Sequence, residues 1–128
     1  MNRPLRVLCV DDNQDAAVST ADLLNLDGFD ARACHCGVTA LAVAAEFRPD
    51  VCLLDLSMPG MNGVELGRRL REELTGLMRV IAVTAMGDAG SRMATRKAGF
   101  DAHLVKPVDP ERLLAVLKGE DVTGPASF

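Results

Sequence analysis

A chain of 128 residues can bury one core and has too few for a second of comparable size, so a single domain is expected. Hydrophobic residues make up 48% and charged residues 25%, with six Pro and eleven Gly, which excludes a disordered or fibrous chain. The formal charge of −4 denies the sequence the positive field that nonspecific nucleic-acid binding needs, and direct DNA binding is not expected.

The first apolar run, from Leu5 to Val10, is too short and too soon followed by acids for a signal peptide or membrane span. A cytoplasmic protein with no membrane partner is therefore expected. Five such runs, 5–10, 30–35, 51–56, 79–84 and 101–106, alternate with segments of helical period. That alternation predicts an α/β fold, a parallel five-stranded sheet wrapped by helices. In the first helical segment Ala17, Val18, Ala21, Leu23 and Leu24 recur at helical spacing, and Gly28 supplies a left-handed stop that leaves Phe29 free to pack back. The second helix, 38–47, carries Leu41, Val43, Ala44 and Phe47 and ends before Pro49, which disfavours helical geometry at its predecessor.

A third helix, 63–74, places Val64, Leu66, Leu70 and Leu74 near one stripe. Its Arg68, Arg69, Arg71, Glu72 and Glu73 read as a solvated face rather than a docking patch. The fourth helix, 88–98, is weakly amphipathic and gains little from burial, which makes it the expected mobile element. Gly99 and Phe100 repeat the Gly28–Phe29 ending, and Asp109-Pro110-Glu111 opens a last helix with a capping acid and an early proline. Residues 119–128 show no periodicity and read as a tail, leaving 1–118 as the folded domain.

Cys9, Cys34 and Cys52 sit in or at the end of apolar runs, where a free thiol acts as a small buried hydrophobe. A metal site at Cys34-His35-Cys36 is disfavoured, because strand alternation turns His35 away from the two sulfurs and no fourth ligand stands nearby.

The informative fact is positional. Asp11 and Asp12 follow the first strand, Asp55 ends the third, Thr84 the fourth and Lys106 the fifth. Ligands of open parallel sheets bind outside these carboxyl ends, so three acids, a hydroxyl and an amine converge on one cleft. Two like charges ~4 Å apart repel by about 4 kcal/mol at an effective dielectric near 20, so a cation is required there. Oxygen donors select a hard ion, and Mg2+, with Mn2+ as a substitute, fits better than zinc. Phosphoryl oxygens can then be shared among the ion, Lys106 and Thr84, which leaves Asp55 as the nucleophile that forms an aspartyl phosphate. Taken alone, Asp11 reads as a turn residue and Lys106-Pro107 as a strand terminator. The Lys106-Pro107 peptide can also be cis, which would aim the amine into the cleft.

Val10-Asp11-Asp12-Asn13, the stretch from Leu53 through Asp55, Ser57 and Pro59 to Gly63, Val83-Thr84-Ala85 and Lys106-Pro107 stand in the order of a known family. Over residues 5 to 118 the sequence resembles a response-regulator receiver domain of two-component and phosphorelay systems, either stand-alone or of the hybrid-histidine-kinase type. The resemblance implies a flavodoxin-like fold with strand order 2-1-3-4-5. It makes Asp55 the phosphoacceptor, Asp11 and Asp12 the acidic pair on magnesium, Thr84 and Lys106 the phosphoryl ligands, and the Ser57 carbonyl a further metal ligand. It also implies that Ser57 and Met86 influence how long the phosphoryl group survives. A histidine kinase or histidine phosphotransfer protein would donate, docking on the first helix. Thr84 would then be drawn inward, repacking the fourth helix and fifth strand toward a downstream effector or a weak dimer through the helix 4/strand 5/helix 5 face. Where the family often has Tyr or Phe as a switch ring, this sequence has His103, which reads either as that ring or as an ordinary surface histidine.

The reading is a self-catalysed, Mg-dependent phosphoacceptor with autodephosphorylation, not an enzyme turning over a small molecule. One rival is an aspartyl-phosphate phosphatase of the haloacid dehalogenase type, disfavoured because Asp11 and Asp12 are adjacent rather than spaced as Asp-x-Asp. A flavin module is disfavoured because there is no glycine-rich phosphate cradle. A receiver-like binding module never phosphorylated remains the alternative, against which the complete acidic set and Lys106 argue.

Overall fold

Short runs of largely apolar residues, too brief for amphipathic helices, become the strands β1 Arg6–Val10, β3 Val51–Asp55, β4 Arg79–Thr84 and β5 Ala102–Val105, and the alternating Asp-Ala-Arg-Ala-Cys becomes β2 Asp30–Cys34. The computed structural model describes residues 3–58, 60–74, 76, 78–85 and 89–119. All strand pairings are parallel and the order is β2-β1-β3-β4-β5, with Val7 opposite both Ala31 and Val51. The expected flavodoxin-like arrangement is the one observed.

Because side chains alternate along a strand, the two faces of the sheet need separate covers. Leu8, Val10, Cys52, Leu54, Val80 and Ala82 face α2 (Gly37–Phe47), α3 (Gly63–Glu73) and Phe100, which follows α4 (Ala89–Lys97). Val7, Cys9, Val51, Leu53, Ile81 and Leu104 face α1 (Gln14–Leu26) and α5 (Pro110–Leu117). β1, β3 and β4 are thus buried on both faces, which is why they read as unbroken apolar runs.

Polar caps set where helices begin. Asn13, Asn62 and Asp109 accept side-chain bonds from Ala16, Glu65 and Glu111 backbone N–H groups at 3.1, 2.9 and 3.1 Å. The left-handed ends expected at Gly28 and Gly99 are present, with φ of +95° and +91°. Phe100, freed to turn back, lies against Gly67 of α3, where an added Cβ would stand 2.3 Å from its ring.

Three expectations need correction. Val18 and Leu23 do not join the core: they are 40% and 37% exposed, because Ala17, Ala21 and Leu24 alone form the stripe facing the sheet and a one-residue step turns a side chain 100° away. Arg71 does not belong to a solvated face. Its guanidinium donates to the Gly99 carbonyl at 3.0 Å, to the Met78 carbonyl and to Asp101, tying the end of α3 to the starts of β4 and β5. His103 is fully buried and is no surface histidine. The tail expected over 119–128 lies, from residue 120 on, outside the described residues, as does Met86.

Candidate functional site

The strand order reverses direction between β1 and β3, and the crevice beyond their carboxyl ends is where the candidate residues meet. Asp11 follows β1, Asp55 is the last residue of β3, Thr84 the last of β4, and Lys106 follows β5. One oxygen each from Asp11, Asp12 and Asp55 lie within 4.8 Å of one another. Among the described residues these are the acids gathered closely enough to hold a cation; Cys34, His35 and Cys36 form no such group. The Lys106 ammonium reaches across the mouth, 3.1 Å from Asp11 and 3.9 Å from Asp55. Its peptide bond to Pro107 is cis, and its N–H donates to the Thr84 carbonyl at 2.7 Å.

Local backbone geometry holds each acid in place. The Asn13 N–H donates to Asp11 at 3.0 Å, and the Ser57 N–H to Asp55 at 3.2 Å. Gly63, the first residue of α3, packs directly on the end of β3: its N–H donates to the Leu56 carbonyl at 3.2 Å, and a Cβ there would lie 2.2 Å from the Asp55 carbonyl oxygen. Only a residue without a side chain lets α3 start this close to Asp55.

The two inner carboxyls differ in proton affinity. Burial pushes the Asp55 carboxyl above its ordinary value, and the Asp11 charge adds to this against the pull of the Ser57 N–H and Lys106. Burial acts on Asp11 as well, but the Asn13 N–H and the Lys106 ammonium outweigh it and hold that carboxyl below the ordinary value. Of the two carboxyls Asp55 is therefore the first to take a proton as pH falls, while the lysine sits closer to Asp11. Three hard oxygen donors with one ammonium leave an excess of negative charge, a donor set that fits a divalent hard cation.

Beside the acids a cavity of about 280 Å³ opens between α1 and α5. Ala16, Thr20 and Leu23 form one wall, Val108, Pro110 and Leu113 the other, with Cys9 and Leu53 at the floor. The exposed Leu23 thus rims a groove that leads to Asp55. Sequence reasoning missed the groove, the clamp on Asp11 from Asn13, and Gly63's close approach; only the last had a visible signal, a glycine just inside a capped helix.

Residues 7–118 match the response regulator receiver domain family. The chain is 36% identical over 110 residues to the DNA-binding response regulator MtrA of Mycolicibacterium paratuberculosis, covering 86% of this chain and 48% of that protein. It is 36% identical over 114 residues to the response regulator MprA of Mycobacterium avium, covering 89% of this chain and 50% of that one. The chain spans about half the length of the curated relatives it matches. Among solved structures it is similar to the chemotaxis protein CheY4 of Vibrio cholerae, with TM-score 0.85, 28% identity, and 91% and 98% of the two chains covered. A CheY-like receiver domain protein of Methanospirillum hungatei gives 0.84 and 29%, covering 91% and 92%. The relatives correct the expectation that DNA binding is excluded: proteins sharing this segment are named as DNA-binding. A net charge of −4 over the shared part carries no information about the half of those relatives that the chain does not span. No helix among the described residues is long and apolar enough to cross a membrane.

Proposed function

The chain belongs to the response regulator receiver domain family, the phosphorelay module of two-component signalling, and from that premise we propose that Asp55 is its phosphoacceptor. The observation that carries this is the placement of Asp55 at the crevice with Asp11, Asp12 and Lys106 around it. In the reaction a carboxylate oxygen of Asp55 bonds to the phosphorus of a phosphohistidine on a histidine kinase or phosphotransfer protein. The phosphorus–nitrogen bond breaks and its electron pair stays on the imidazole, which then takes a proton.

Each neighbour has a share in this. The Ser57 N–H fixes one Asp55 oxygen and so orients the other. The Lys106 ammonium is placed to follow the charge that arrives on the phosphoryl oxygens, and the Thr84 hydroxyl to donate to one of them. Asp11, Asp12, Asp55 and the Ser57 carbonyl would hold Mg2+, or Mn2+ in its place, which when bound supplies positive charge opposite the phosphoryl oxygens. Water attacking the phosphorus would break its bond to the Asp55 oxygen, release inorganic phosphate and return Asp55 by autodephosphorylation; in this reading no small molecule is turned over. Thr84 and His103 project from the sheet face that α4 covers, so a shift of Thr84 toward the phosphoryl group reaches an effector through α4 and β5, where Met93 and Val105 are exposed. In this reading residues 1–118 form the receiver and 119–128 a tail, and the protein works in the cytoplasm, where phosphohistidine donors are found.

Incubation with magnesium and acetyl phosphate, followed by intact mass, tests the assignment. One phosphoryl group should appear on the wild type and none on Asp55→Asn. A wild type that stays unmodified even with a phosphohistidine donor, or an Asp55→Asn variant labelled equally, overturns it and favours a binding module without phosphorylation.

A further inference from the structure

Thr95 lies in the last turn of α4 with its side chain fully buried, an unusual place for a hydroxyl that makes no contact with the acidic crevice. Its Oγ1 is 2.9 Å from the Arg92 carbonyl and 3.3 Å from that of Ser91, and 3.2 Å from Nδ1 of the fully buried His103 on β5. A hydroxyl has one proton. Threonine in a helix gives it to a carbonyl one turn back, and the shorter contact here is of that kind. With that proton on the carbonyl, Oγ1 turns its lone pairs to Nδ1, and the bond then requires the tautomer that carries its hydrogen on Nδ1.

From this geometry we infer that Thr95 is a positioning residue for signal output: it receives the His103 Nδ1–H and makes that bond a link through which β5 moves α4. The inference rests on the phosphoacceptor reading given above. Strand register puts His103 opposite Ala82, two residues before Thr84, and by alternation both Thr84 and His103 stand on the α4 side of the sheet. Two further side-chain contacts beyond the end of α4 run to α3: Arg71 holds the Gly99 carbonyl, and Phe100 is pressed on Gly67. Neither comes from β5. The Thr95–His103 bond joins α4 to the strand beside Thr84, and it is directional, whereas an aromatic hydrocarbon ring at position 103 would couple by packing alone.

Thr95→Val keeps the shape and removes the acceptor, Thr95→Ser keeps the hydroxyl, and His103→Phe keeps a ring without the donor. The first readout is the ring proton of His103 in nitrogen-edited NMR. It should sit on Nδ1 in the wild type and Thr95→Ser, and leave Nδ1 in Thr95→Val, with amides of α4 exchanging about 5-fold faster in that variant. The second is the change in α4 amide shifts on treatment with acetyl phosphate, beside intact mass. All four proteins should gain the phosphoryl group; the α4 response should persist in wild type and Thr95→Ser and fall below about half in Thr95→Val and His103→Phe. A Thr95→Val protein whose α4 responds as the wild type does, or whose His103 proton stays on Nδ1, overturns the inference. Should Thr95→Val not fold, His103→Phe responding in full overturns it equally. Absence of the mass gain in wild type defeats the phosphoacceptor reading instead, while the ring-proton measurement still decides whether the bond exists.

Discussion

Replacing Asp55 with Asn should stabilise the metal-free protein, and the geometry sets by how much. Each of the two repulsions between Asp55 and its acidic neighbours, at separations up to 4.8 Å, costs about 3.5 kcal/mol at an effective dielectric near 20. The attraction of Lys106 at 3.9 Å returns about 4 kcal/mol, so removing the Asp55 charge leaves a net gain of about 3 kcal/mol. Solvent reaches this mouth, where the Lys106 side chain is 38% exposed, and screening reduces the gain to about 1 kcal/mol. An asparagine oxygen can still accept the Ser57 N–H. Thermal unfolding in chelator at pH 7 should therefore show a rise of about 3–6 °C. The sign follows from the proton affinity of Asp55. Its folded-state value is raised, so the wild type keeps its full stability below the ordinary carboxylate range and loses some as pH rises through the raised value. The advantage of Asp55→Asn must then vanish at acid pH. Saturating magnesium should reverse the order, since a ligand at 100 times its dissociation constant adds about 2.7 kcal/mol to the protein that binds it. A variant less stable than wild type at pH 7 in chelator, or equally advantaged at acid pH, would refute the charge argument.

Lys106→Met should slow labelling by acetyl phosphate about 100-fold without abolishing it, as expected for losing one electrostatic partner of the transferring group; a time course by intact mass checks this. Gly63→Ala forces a Cβ to 2.2 Å from the Asp55 carbonyl oxygen, a backbone atom that cannot step aside, and should destabilise by more than about 2 kcal/mol in urea. In Gly67→Ala the colliding group is the Phe100 ring, so the double variant with Phe100→Leu should recover part of the loss, which Gly63→Ala has no comparable way to do. Arg71→Ala removes three bonds that join α3 to Gly99, Met78 and Asp101 and should cost about 2 kcal/mol by the same denaturant assay.

The sheet was legible because most strands are short apolar runs between helical segments, and Gly28 and Gly99 mark turns that only a left-handed residue makes easily. The crevice was legible for a related reason: a parallel sheet carries the ends of all its strands to one edge, so chain position alone brings Asp11, Asp55, Thr84 and Lys106 together. What stayed hidden depends on packing between distant segments. Nothing near Arg71 announces that Asp101, thirty residues on, will accept from it. Val18 and Leu23 fit a helical stripe in sequence, yet two alanines and Leu24 fill the available width against the sheet. His103 gave no sign of its partner, because Thr95 looks like one of several small polar residues in a poorly amphipathic helix.

The order β2-β1-β3-β4-β5 leaves β2 and β5 at the margins of the sheet, and on β2 the Asn25 side chain already holds the Ala31 N–H and carbonyl, at 2.7 and 3.1 Å. Neither margin offers a template for adding a strand. β2 is five residues long and bears Asp30 and Arg32, whose guanidinium is held 4.2 Å from the Phe47 ring; β5 has four residues and runs into Lys106 and Pro107. Brief length, charge and proline are the means by which native sheets prevent templated growth, so this chain should remain dispersed at concentrations where an unguarded parallel sheet would stack into aggregates.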